Sequence, residues 1–283
     1  MILKNTNIKS KVASIQMTVG LNLQANLDQA KSLIQIAAKK GVKLLVLPEN
    51  FAYFGQPKVK TIAIQEESGG PARTFLSEQA SKNKIWIVGG TIPVINSQAS
   101  SKNPSSSCFV LDDSGFEVAC YKKIHLFDAM LDDSVGSYCE SSDYSSGEQP
   151  IIVDTPIGSL GLAVCYDLRF PELFRYLSDH GAEIVAVPAA FTSQTGKSHW
   201  TPLLRARAIE NLIYVIGSNM GDRYHKNRPT WGGSTIIDPW GNIMNELEEG
   251  SGMITADIDL DYLKSLRNKL PIYDHRRFSV LKP

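Results

Sequence analysis

The sequence predicts an α/β layered fold with mixed sheets. Three observations predict it. Apolar runs such as Leu-Leu-Val-Leu at 44–47 and Leu-Gly-Leu-Ala-Val at 160–164 are too apolar for strands with one wet face. Segments of helical spacing alternate with these runs along the chain. A turn at 112–115, flanked by strand-like runs at 107–111 and 116–121, adds a hairpin that a purely parallel sheet does not contain.

Taken in order, residues 12–17 alternate as a strand. Residues 26–39 show helical spacing through Leu27, Ala30, Leu33, Ile34 and Ala37, and stop at Gly41. Residues 43–48 are the next strand, which completes a β-α-β unit. Pro71 opens a helix over 71–81, where its missing N–H costs nothing, and 85–88 is a third buried strand ended by Gly89 and Gly90. Residues 97–107, rich in serine with Asn103 and Pro104, read as a surface loop. After the hairpin, 126–147 is long, polar and aperiodic, and loops of that length tend to carry function.

The strand at 160–164 hands over to a helix whose first turn holds Pro171 and whose apolar face carries Leu173, Phe174 and Leu177. Strands at 183–187 and 213–218 enclose a helix at 198–210. Strands at 231–237 and 253–257 close the sheet region around a turn at 238–241, and a last helix spans 259–268. The tail from about 270, with Arg276 and Arg277 side by side, has no partner nearby in sequence, so it is either frayed or docked on another surface. No composition shift or linker divides residues 1–283, which predicts one domain with a C-terminal tail.

Composition excludes several classes. The chain has zero formal net charge and 43% hydrophobic residues over 283 positions, so no global field favours nucleic acid or an anionic membrane. No apolar run approaches the ~18 residues of a membrane span, and residues 1–10 never build the apolar core of a signal peptide. A cytoplasmic location is therefore expected. Cys108, Cys120, Cys139 and Cys165 are spaced as neither a disulfide framework nor a zinc site, and the histidines form no i, i+4 pair. No metal and no cofactor are expected.

Three residues at strand ends are candidates for chemistry. Cys165 sits where a buried strand passes into a helix, and the free N–H groups of such a turn are expected to ease thiol ionisation. The competing reading is inert packing, the usual lot of a buried cysteine. Glu49 lies just past the strand at 43–48, where α/β sheets place ligand crevices, and is either a general base or a surface cap. Lys122 and Lys123 follow the second hairpin strand and point to opposite faces, so one can turn inward toward a counter-charge while the other stays in water.

Together the segments Leu-Pro-Glu at 47–49, Lys-Ile-His-Leu-Phe at 123–127 and Gly-Leu-Ala-Val-Cys-Tyr-Asp-Leu-Arg-Phe-Pro-Glu at 161–172 resemble the Glu-Lys-Cys triad of the nitrilase superfamily of carbon-nitrogen hydrolases. The likeness extends from about Lys11 to Phe278. It implies a four-layer α-β-β-α sandwich that pairs through its α faces into homodimers or higher homo-oligomers, the tail often reaching the partner. It also implies Glu140 as a second glutamate beside Glu49, Lys123 and Cys165. In the mechanism that follows, Glu49 takes the Cys165 proton, and Lys123 with the N–H of Tyr166 faces the oxyanion.

Arg169, one turn beyond Cys165, is placed to hold a substrate carboxylate in a bidentate fork, with an ion pair to Glu172 as the alternative. The segment 191–200 matches the acyl-pocket stretch of ω-amidase-like members, which implies that Phe191 and Thr195 contact a small 2-oxo acid. Residues 270–277 and the context of Glu140 look most like the deaminated glutathione amidase branch. The implied activity is hydrolysis of the terminal amide of such a 2-oxo acid, with release of a carboxylate and an amine or ammonia. Alternatives are a 2-oxoglutaramate ω-amidase, an N-carbamoyl amino acid hydrolase, and a non-catalytic binding protein of the same fold.

Overall fold

The structure, a computed structural model, describes residues 9–55, 58–95, 103–223 and 228–278. In chain order the first half runs β1 (Ser10–Gln16), α1 (Leu23–Lys39), β2 (Leu44–Val46), α2 (Val59–Glu67), α3 (Pro71–Asn83), β3 (Trp86–Val88), β4 (Ile92–Val94), β5 (Ser105–Leu111) and β6 (Glu117–Lys122). A small hairpin, β7 (Asp128–Met130) and β8 (Ser137–Cys139), follows. The second half runs β9 (Ile152–Thr155), β10 (Gly158–Leu162), α4 (Pro171–Asp179), β11 (Ile184–Ala189), α5 (Ser193–Asn211), β12 (Tyr214–Asn219), β13 (Ser234–Ile237), β14 (Ile243–Leu247), β15 (Gly252–Ile258), α6 (Leu260–Lys269) and α7 (Ile272–His275).

Two sheets stand face to face. One has the order β15-β1-β2-β3-β5, with β4 and β6 both on β5; the other is β14-β13-β12-β11-β10-β9. Each has three parallel strands at its centre, β1, β2 and β3 in one and β10, β11 and β12 in the other, flanked by antiparallel neighbours. The parallel strands are the apolar runs of the sequence, and the alternation of β1 shows why they must be covered on both faces. Val12 packs in the core shared by the two sheets, whereas Ala13 and Ile15 pack with Leu27, Ala30 and Ile34 of α1 and Leu76 of α3. Burying each such leucine or isoleucine contributes about 1.5–3 kcal/mol. On the other side Leu173, Phe174 and Leu177 of α4 and Leu204 and Ala208 of α5 cover β10–β12, which makes four layers, α-β-β-α.

Polar groups lock the inter-sheet layer. Ser14 Oγ donates to the Gly217 carbonyl at 2.8 Å, Ser218 Oγ to the Ile15 carbonyl at 2.5 Å, and Ser234 N to Gln16 Oε1 at 2.9 Å. Each bond is buried, so each fixes the register of one sheet on the other.

Several elements depart from the sequence expectation. Of the 97–107 stretch read as loop, 97–102 lies outside the described residues, and Ser105, Ser106 and Ser107 belong to β5. The aperiodic 126–147 segment contains the β7–β8 hairpin and a short 3-10 turn at Glu140–Ser142. The helix expected at 198–210 starts five residues earlier, because Thr192 caps it by accepting from Thr195 N and Pro202 is accommodated inside it. The start of the tail is docked on its own chain: the Tyr273 hydroxyl bonds Ser178 Oγ at 2.5 Å and the Asn211 carbonyl, and Arg276 pairs with Asp179. No helix among the described residues is long and apolar enough to cross a membrane.

Candidate active site

Glu49, Lys123 and Cys165, from three separate strands, meet at one place. Glu49 follows β2 and Cys165 follows β10, so both stand beyond the C-terminal ends of parallel strands, one in each sheet. Lys123 continues β6, and the period of two turns it inward, 2% exposed, while Lys122 stays in solvent. Glycine lets the chain close around them. A Cβ on Gly90 would lie 2.1 Å from the Pro48 carbonyl oxygen, and one on Gly147 equally close to that of Lys122. Any other residue there displaces the strand end that carries Glu49 or Lys123.

The ammonium of Lys123 is fully paired. Its Nζ donates to Glu49 Oε1 at 2.8 Å and to Glu140 Oε1 and Oε2 at 2.9 and 2.8 Å. Glu140 is held in turn by Phe127 N, which donates to its Oε2 at 2.6 Å. Glu49 Oε2 accepts from Ala190 N at 2.9 Å, and its carboxylate is close enough to the buried Cys165 thiol to disfavour the thiolate. A buried ammonium needs such partners, since desolvation alone would strip its proton.

The protonation states follow from this packing. Burial opposes the charge on Lys123, but Glu140 and Glu49 outweigh it and raise its pKa well above the ordinary lysine value. Burial likewise works against an ionised Glu49, and the Lys123 charge and hydrogen bonds reverse the balance, so its pKa is lowered. The thiol goes the other way. Burial and the neighbouring Glu49 carboxylate push Cys165 well above the usual thiol value, against the pull of Lys123. The sequence expectation of an easily ionised cysteine is therefore corrected: the resting pair is a neutral thiol beside a carboxylate poised to receive its proton.

Cys165 is held in a strained turn. Its φ is +47°, in the left-handed region that a non-glycine residue rarely enters. Asp167, fully buried, stabilises that turn by accepting from Val164 N at 2.7 Å, the Tyr121 hydroxyl at 2.7 Å and His125 N at 3.0 Å. Its Oδ1 also lies 2.6 Å from His125 Nδ1, and the His125 ring stacks on Phe170. One carboxylate thus ties the end of β6, the segment after Lys123 and the turn that carries Cys165 together.

A cavity of about 270 Å³ opens on these groups. Tyr166, Arg169, Phe191 and Thr195, the four residues expected to touch substrate, all line it. Arg169 lies over the rings of Phe191 and Tyr166, 5.2 and 5.8 Å from their centroids, and its Nη1 is 3.2 Å from His199 Nδ1. The Thr195 hydroxyl is 2.7 Å from that of Thr192. Sequence reasoning missed Ala190, Asp167, Tyr138 and Arg228. Ala190 acts through its backbone N–H, which no side-chain pattern reveals, and Asp167 was visible within the motif at 161–172 but signalled nothing without its tertiary donors.

A buried thiol, a carboxylate and an ammonium, gathered at strand ends of an α-β-β-α sandwich, form the candidate site that the resemblance to the nitrilase superfamily implies. The family model for carbon-nitrogen hydrolases matches residues 11–268, and the chain belongs to that family, whose members act on carbon-nitrogen bonds such as amides. It is 38% identical to the deaminated glutathione amidase of Yersinia enterocolitica over 98% of this chain and 94% of that one. Its fold matches that of Saccharomyces cerevisiae Nit3, a member of branch 10 of the nitrilase superfamily, with a TM-score of 0.85 and 32% identity over 95% and 97% of the two chains. It matches the Caenorhabditis elegans NitFhit protein with a TM-score of 0.86 and 34% identity over 96% of this chain, and spans 66% of that longer chain.

Proposed function

We propose that the protein cleaves the terminal amide of a 2-oxo acid, deaminated glutathione in particular, through a thioester on Cys165. The observation that carries this reading is the Glu49 carboxylate, which accepts from Lys123 Nζ and Ala190 N and stands beside the buried Cys165 thiol whose pKa it helps to raise. As Sγ attacks the amide carbon, Glu49 takes the thiol proton, and the new oxyanion faces Lys123 Nζ and the Tyr166 N–H. Protonated Glu49 then gives its proton to the leaving nitrogen as the C–N bond breaks. In the second half Glu49 deprotonates water, the hydroxide attacks the thioester, and the departing thiolate recovers the proton from Glu49. Glu140 acts by holding Lys123 and faces the path of that water.

The acyl group is read by the part of the cavity next to Cys165. Arg169 lies over the rings of Phe191 and Tyr166 with its Nη1 beside His199 Nδ1, and its other N–H groups suit a carboxylate. The match to deaminated glutathione amidases over nearly the whole chain supports the same substrate. The test is a side-by-side assay. Deaminated glutathione should release cysteinylglycine and 2-oxoglutarate at a kcat/KM above that for ammonia release from 2-oxoglutaramate. The reverse order moves the assignment to an ω-amidase, and turnover of neither overturns it.

The resemblance to the nitrilase superfamily implies a homodimer or higher homo-oligomer, here formed through the α5 face, and the spacing of the four cysteines favours the cytoplasm. Ile209, Trp240, Ile243 and Met244 are 46%, 57%, 41% and 38% exposed there, and Ile209 packs beside Gly241. Light scattering should give the mass of two chains or a multiple of it; the mass of a single chain would sink this reading.

A further inference from the structure

We propose that Arg228 determines substrate specificity by binding a carboxylate on the leaving amine, while Arg169 holds the carboxylate of the acyl part, so that the site selects amides with an anion at each end. This rests on the functional reading above and names what distinguishes its substrate.

The first support is the shape of the cavity wall. Tyr166 packs on Phe127 with ring centroids 5.0 Å apart, and Phe127 on Tyr138 at the same separation. Arg169 lies 5.8 Å from the Tyr166 centroid at one end of this row, and Arg228 lies 5.8 Å from the Tyr138 centroid at the other. Arg228 is further seated on Phe54 at 5.1 Å. Aromatic faces hold each guanidinium in one plane, and its N–H edge then suits a planar carboxylate. Three rings in series separate the two forks, so they serve as two subsites.

Charge is the second support. Among the described residues lining the cavity, the acids are Glu49, Glu140 and Asp143, and the bases are Lys123, Arg169 and Arg228. Lys123 is committed to Glu49 and Glu140. Without the arginines the cavity repels anions, and it sits beside a carboxylate that must stay ionised. One arginine offsets that field for one substrate carboxylate; two prepare the cavity for two.

Position assigns the ends. The acyl carbon must lie against Cys165, and Arg169 is on the same short helical segment, Cys165–Arg169, stacked on Tyr166. Arg228 comes from the far side, against the β7–β8 hairpin that carries Tyr138. Deaminated glutathione has one carboxylate on its 2-oxo acyl part and another on the glycine of its leaving dipeptide. The leaving group of 2-oxoglutaramate is ammonia, which offers Arg228 nothing.

The test compares deaminated glutathione with its analogue ending in glycinamide, which is nearly isosteric but lacks the second charge. The wild type should favour the acid by about tenfold to hundredfold in kcat/KM, the effect of one charge-assisted hydrogen-bonded pair. In Arg228→Met the ratio should fall to about one, and in Arg228→Lys, which keeps the charge and loses the fork, it should be intermediate. Arg169→Met should depress both compounds together and keep the ratio. A ratio near one in the wild type overturns the proposal, as does a full ratio in Arg228→Met. If Arg228→Met fails to fold, the wild-type ratio and Arg228→Lys decide the matter. Turnover of neither compound would instead overturn the functional reading, and this inference with it.

Discussion

Cys165→Ala lowers kcat for amide hydrolysis by roughly 10⁵-fold or more, on the scale seen when a covalent nucleophile is removed. Cys165→Ser falls nearly as far, because a hydroxyl gives up its proton to Glu49 much less readily than a thiol. The wild-type profile should also carry the signature of a proton transferred only during attack. Burial and the Glu49 carboxylate raise the thiol pKa, so the difference in thiolate absorbance between wild type and Cys165→Ala should show no step between about pH 6 and 8. Over that range kcat/KM should be flat. The competent form carries ionised Glu49, whose pKa is lowered from 4.5, so activity is lost only as acid protonates it. A thiolate step near neutrality, or Cys165→Ala activity within tenfold of wild type, would count against the mechanism.

What the sequence reveals follows from how locally each feature is encoded. The parallel strands are legible because both of their faces are buried, which leaves an apolar run, and the strand ends at Glu49 and Cys165 are legible for the same reason, whereas Lys123 is placed by the hairpin whose second strand it follows. The helix α2 is not, because its pattern is inverted: Glu66 is fully buried while Ile64 is 62% exposed. Glu66 is satisfied only in three dimensions, by the Tyr53 hydroxyl at 2.6 Å and by Ala72 N and Arg73 N at 2.9 and 3.1 Å, at the start of α3. Strand β4 hides behind Pro93, which an edge strand tolerates, and β14 behind its own exposure. Within the site the residues were legible and their ionisation was not. The thiol was expected to ionise easily because the turn and helix start are local to it, yet burial in the assembled site, together with Glu49 over a hundred residues away in sequence, holds it neutral.

Lys123→Met should combine a loss of activity with a loss of stability that is larger at neutral pH than in acid. In the wild type, Glu49 has a lowered pKa and so contributes stability above about pH 4.5, lost as pH falls through its folded value. Lys123 has a raised pKa and contributes below about pH 10.5, lost as pH rises through its folded value. Methionine removes the cation both depend on. Glu49 and Glu140 then face each other without a counter-charge, which costs about 3–5 kcal/mol at neutral pH. With only the Ala190 N–H left to oppose burial and the Glu140 charge, the shift at Glu49 reverses, so protonation relieves the strain and the variant's deficit should shrink on acidification. Urea melts near pH 5 and pH 7.5 check this; an equal deficit at both would contradict it. Adding Glu140→Gln removes one of the repelling charges, so the double variant should recover part of the stability. It should recover none of the activity, because the oxyanion still lacks Nζ. That split would separate the structural part of Lys123, which keeps two buried carboxylates together in the resting site, from the proposed one, which is to meet the charge that develops on the substrate oxygen.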